Sequence, residues 1–176
     1  DSGIDGAHPA FLGRLDDATK SRIHSVWNMW ESGGQSPFKR SGEKAAYSAL
    51  RFGKEYIGHD EVITVTDGPS GHGTHVAGIA AGQPVGAWPG GIAPAAKIVV
   101  VSLGNSGFLN DILNGVRYCF RKAMELGLPC VVNISQGTEH HPHDATDPLS
   151  IALTQLVSRN PVPAVSGLGV PVPEYI

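Results

Sequence analysis

Residues 96 to 103, AKIVVVSL, are apolar and rich in β-branched side chains, with no polar alternation. A strand of that kind is buried on both faces, and sheets covered on both faces are mostly parallel ones with helical crossovers. The flanking segments fit this. HGTHVAGIAAG, from residue 72, reads as a helix of small residues stopped by Gly82. NDILNGVRYCFRKAMELG follows the apolar run. Its Ile112, Val116, Phe120 and Ala123 recur at three- and four-residue steps and form one stripe, with Asn110 as cap and Gly127 as stop. PCVVNIS, residues 129 to 135, reads as a second buried strand. DPLSIALTQLVSRN opens with Asp147 as cap and Pro148 at the first helical position, and VPAVSGLG carries a third strand at 162 to 166. Helices are expected at about 72–81, 110–126 and 148–159. Alternating helices and strands specify an α/β fold with a mostly parallel central sheet. The turns after Leu103, Ser135 and Ser166 then share the rim at the strands' carboxyl ends, where such sheets place their sites.

Residues 14 to 66 have weak periodicity and read as a long, partly irregular insertion. Within it, HSVWNMWESGG reads as a strand ending at a Gly-Gly turn, and SGEKAAYSALRFG as a short helix or a loop. A chain of 176 residues, 41% of them hydrophobic, has room for one domain and is not a disordered composition. Net charge is −3 and the basic triplet FKR at 38 to 40 reads as a solvated loop, so no nucleic-acid partner is expected. No stretch is long and apolar enough to span a membrane. Cys119 falls on a helical pattern and Cys130 on a strand pattern, and the pair reads as two buried free thiols.

Chemistry concentrates at GHGTH. A helix N-terminus puts the positive end of the backbone dipole beside His72, which disfavours imidazolium and leaves the neutral ring a general base needs. Gly71 and Gly73 allow close approach by other groups. Thr74 and His75 read as supporting or core residues. A metal reading would join His72 and His75 to HHPHD, that is His140, His141, His143 and Asp144. No HExxH pattern accompanies them, and the proline makes HHPHD a loop, so no metal ligand is assigned.

DSGIDGAHPAF at residues 1 to 11 resembles the aspartate motif of the subtilisin-like serine proteases, the subtilases. GHGTHVAGIAAG resembles their histidine motif, and VVNISQGTEHHPHDATDPLSIAL their strand, substrate-binding turn and following helix. The aspartate-before-histidine order is the one subtilisin uses. The resemblance implies a three-layer α/β sandwich. It implies that Asp1 orients His72 and that His72 takes a proton from serine. It also implies an extended protein or peptide substrate, paired with Ser102, Leu103 and Gly104 on one side and with Ser135, Gln136 and Gly137 on the other. No cofactor is implied for catalysis, structural calcium is common in the family, and an extracellular setting is expected.

The family's nucleophile lies in a GTSMA-like segment, and none occurs in residues 1 to 176. Ser166 stands where the family has its oxyanion stretch, and Leu168 takes the place of the asparagine there. No apolar strand precedes Asp1 either. The chain therefore reads as a partial subtilase catalytic domain, residues 1 to 176, cut at both ends. Two functions follow: a serine endopeptidase whose serine lies outside this sequence, or a pseudoprotease that binds extended peptides without cutting them.

Overall fold

Among the described residues three strands make a sheet, β1 (Ile23–Asn28), β2 (Lys54–Ile57) and β3 (Ile98–Ser102), in the order β2–β1–β3. β1 runs parallel to β3 and antiparallel to β2. The computed structural model describes residues 1–13, 19–37, 52–103, 109–137, 142 and 144–159. Among the described residues, four α-helices accompany the strands: α1 (His59–Val62), α2 (His72–Ala81), α3 (Leu109–Leu126) and α4 (Pro148–Arg159). The class is α/β, as expected, with a small mixed sheet. The chain divides into two compact units, Asp1–Asn105 and Ser106–Ile176.

In the first unit the strand read at HSVWNMWESGG, within the segment taken as an insertion, supplies the middle of the sheet and ends at Asn28, before the Gly-Gly turn. β1 is buried along nearly its whole length, with Ile23, Val26 and Trp27 at 1% exposure or less. A middle strand meets neighbours on both edges and cover on both faces, which suits IHSVWN better than a surface loop would. Ile4, Phe11, Val62, Val65, Ile98 and Val100 pack with it in one core. Ala77 and Ala81 bring α2 against that core. Buried Arg22 fastens three segments together: its guanidinium donates to the carbonyls of Ala10 (2.7 Å), Ala81 (2.6 Å) and Ala96 (3.1 Å). Ala81 ends α2, so a cation sits at the helix end that favours one. At the far side of the sheet, Glu31 accepts from Lys54 (2.9 Å) and Tyr56 (2.5 Å).

In the second unit the helix signals hold. α4 starts at Pro148, and Asp147 accepts from the Leu149 and Ser150 amides, both at 3.0 Å. α3 ends in a left-handed Gly127 (φ 63°), with Gly127 N–H on Met124 O and Leu128 N–H on Ala123 O. Its start differs from expectation: α3 already includes Leu109, so Asn110 lies inside the first turn instead of capping it. Val116 and Ala123 of the stripe are buried.

Residues 129–135 are not the strand the sequence promised. A run of β-branched residues becomes a strand only when its amides and carbonyls meet a sheet edge. The second unit has no strand among its described residues, and Val131 is 97% exposed. Cys119 and Cys130 are free, as expected, but half-buried rather than buried. The expected strand at 162–166 lies outside the described residues. So do the FKR triplet, most of SGEKAAYSALRFG, Gly104, His140, His141, His143, Ser166 and Leu168.

Candidate active site

The site starts where two glycines touch. A Cβ on Gly73 would lie 2.1 Å from the Gly3 carbonyl oxygen, so only a bare backbone fits. That contact closes the turn after Asp1 onto the first turn of α2. Asp1 Oδ1 then lies 2.8 Å from His72 Nδ1. An ionised carboxylate can only accept, so in a neutral His72 ring this contact favours the tautomer with the proton on Nδ1 and the lone pair on Nε2. The Asp1 side chain is 16% exposed and that of His72 50%, so the acid is sheltered while the base meets solvent.

The end of β3 holds Asp1. The Asp1 α-amino group donates to Val101 O (3.2 Å), and Leu103 N–H donates to Asp1 O (2.8 Å). That stagger is the pattern of a parallel ladder. Met29 N–H meets the Ser102 carbonyl from the other side, so Asp1 lies on the edge of β3 away from β1. Ser102 Oγ adds a bond to Ser2 O at 2.7 Å.

Side chains from outside α2 hold His72 in place. A helix leaves its first amides without partners. Here His72 N–H reaches Ser70 Oγ (3.3 Å), Gly73 N–H reaches Ser2 Oγ (3.1 Å) and Thr74 N–H reaches Asp67 Oδ2 (2.7 Å). Gly71 enters the helix in the left-handed region, φ 61°. Asp67 also accepts from Thr74 Oγ1 (2.6 Å), Ser2 Oγ (2.8 Å) and Gly68 N–H (2.7 Å). Burial would raise the Asp67 pKa, but these bonds outweigh it and hold the carboxyl below its ordinary range. Sequence reasoning missed Asp67 and Ser2. The available signal was an acid followed by a Gly-Pro turn, just ahead of a helix whose own entry residue is a glycine.

The model of the subtilase family matches residues 1–164. The chain belongs to the subtilase family. Among solved structures, the CspB protease of Clostridium perfringens shares its fold, with a TM-score of 0.63 at 23% identity. The likeness covers 89% of this chain and 32% of that one, so the subtilase segment described here spans about a third of that protein's length.

The other expected site residues of this subtilase segment fall in three places. Ser102 and Leu103 stand beside Asp1 and are buried. Leu103 has both backbone groups engaged, its amide on Asp1 and its carbonyl on the Trp30 indole. Ser135, Gln136 and Gly137 are exposed and belong to the second unit, where Ser135 Oγ accepts from Asn133 Nδ2 at 2.8 Å. Gly104 lies outside the described residues. Thr74 is tied to Asp67, whereas His75 is exposed. Among the described residues no group of three or more His, Cys, Asp or Glu side chains could hold a metal ion. No helix among them is long and apolar enough to cross a membrane.

Proposed function

We propose that this segment supplies the acid and the base of a serine endopeptidase. The observation that carries the reading is the 2.8 Å approach of Asp1 Oδ1 to His72 Nδ1 across 71 residues of sequence. With its proton on Nδ1, His72 accepts the serine hydroxyl proton at Nε2 as the serine oxygen attacks the peptide carbonyl. Asp1 stabilises the imidazolium formed in that step. The same proton then passes to the leaving amine, and water repeats the cycle on the acyl-enzyme. The serine comes from a GTSMA-like segment outside residues 1–176. The substrate is a protein or peptide bound in extended form. No cofactor takes part, and the setting is extracellular, as in many subtilases.

A serine-directed phosphonate tests the reading. A longer polypeptide that carries the serine should be labelled, and His72→Ala should abolish the labelling. The 176-residue chain should stay unlabelled. Leu168, in the place of an oxyanion donor, favours the pseudoprotease as second reading, because losing such a donor costs about 2.7–4 kcal/mol of transition-state stabilisation. A longer polypeptide that binds extended peptides yet resists the phosphonate would establish that reading instead.

A further inference from the structure

The two oxygens of Asp67 divide between the segments that carry Asp1 and His72. Oδ1 takes Ser2 Oγ at 2.8 Å, and Ser2 N–H in turn lies 2.6 Å from Asp1 Oδ1. Oδ2 takes both the amide and the hydroxyl of Thr74, two residues beyond His72 in α2. Thr74 Oγ1 also accepts from Asp5 N–H at 2.8 Å, which ties the loop after the aspartate turn to the same helix. Ser2 Oγ closes the ring by accepting from Gly73 N–H at 3.1 Å.

We propose that Asp67 is the positioning residue of the pair: a carboxylate clamp that sets the distance and orientation between Asp1 and His72. This rests on the acid–base reading above and adds a third residue to it. The chemistry demands a carboxylate. Gly68 N–H points at Oδ1 and Thr74 N–H at Oδ2. An asparagine has one donor face and one acceptor face, so in either orientation its amide group would oppose a backbone N–H. Asp67→Asn keeps the shape and breaks the clamp.

The test reads which ring nitrogen of His72 carries the proton, from long-range 1H–15N spectra of the whole 176-residue chain. In the unsubstituted chain the Nδ1–H form dominates. In Asp67→Asn that dominance is lost, while the amide spectrum of β1 and β3 stays native. Thr74→Ser, which keeps the hydroxyl, restores the unsubstituted pattern where Thr74→Val does not. Should Asp67→Asn fail to fold, Ser2→Ala decides: it removes the bond to Oδ1 and leaves Thr74 in place, and it too loses the Nδ1–H form. A folded Asp67→Asn or Ser2→Ala with the Nδ1–H form intact overturns the clamp alone, provided Asp1→Asn loses that form. An unsubstituted chain indistinguishable from Asp1→Asn overturns the acid–base pairing, and the clamp with it.

Discussion

Gly73 rests directly on the carbonyl of Gly3, and this backbone contact sets the approach of the two segments that carry Asp1 and His72. Gly73→Ala would place a methyl 2.1 Å from that oxygen, with the Gly3 carbon and nitrogen next in line at 3.0 and 3.1 Å. Backbone, unlike the tip of a flexible side chain, has no rotamer to escape into. We expect a loss of about 1–3 kcal/mol in urea unfolding. The His72 ring should also be released from Asp1 in the folded remainder, visible as loss of the Nδ1–H form.

Arg22 serves three carbonyls from one buried guanidinium. Lysine has the charge but not the fork that spans those carbonyls. Arg22→Lys should cost about 1–3 kcal/mol, the penalty of leaving a buried acceptor unmet, and Arg22→Met more. Thermal unfolding of the three chains checks the order. An Arg22→Lys chain as stable as the original would show that the spacing of the donors is immaterial.

Acid should undo the Asp67 clamp. Its folded-state pKa is held below the unfolded one by the bonds from Thr74, Ser2 and Gly68, despite the opposing effect of burial. The folded state therefore prefers the ionised form, and the resulting stability is fully present above about pH 4. It declines as pH falls through the lower folded value. A pH series of melting temperatures should show this acid decline in the unsubstituted chain and a shallower one in Asp67→Asn. Parallel curves would mean that Asp67 contributes nothing to acid stability.

In a longer polypeptide that carries the serine, Asp1→Asn should lower kcat about 10⁴-fold, because it favours the wrong imidazole tautomer. KM should move little, since Asp1 does not touch the substrate. Steady-state kinetics on a peptide amide separate the two. A change confined to KM would remove Asp1 from the chemistry.

The helices were legible because their signals are local. Gly82 and Gly127 stop α2 and α3 where the pattern says, and Asp147 with Pro148 starts α4. The run at 129–135 failed because a strand is a relation between two segments, and composition records only one of them. β1 was legible in part: HSVWNMWESGG reads as a strand inside the insertion, and the strand exists but ends at Asn28, short of the Gly-Gly turn. The approach of Asp1 to His72 was expected from their motifs and is seen at 2.8 Å. Asp67 was not, because a carboxylate before a Gly-Pro turn looks like any solvated loop acid until Ser2 and Thr74 close on it.

Arg22 grips the last carbonyl of α2, and Asp67 and Ser2 grip its first amides. The ten residues between these grips therefore act as a strut of fixed length and fixed phase. One residue added anywhere in HGTHVAGIAA would turn one end against the other by about 100° and push it about 1.5 Å. His72 would then swing off Asp1 even if every side chain in the site were kept. The spacing from Gly71 to Gly82 is thus as much a requirement of the pair as the identity of either member, and deletions there should be tolerated less well than most substitutions.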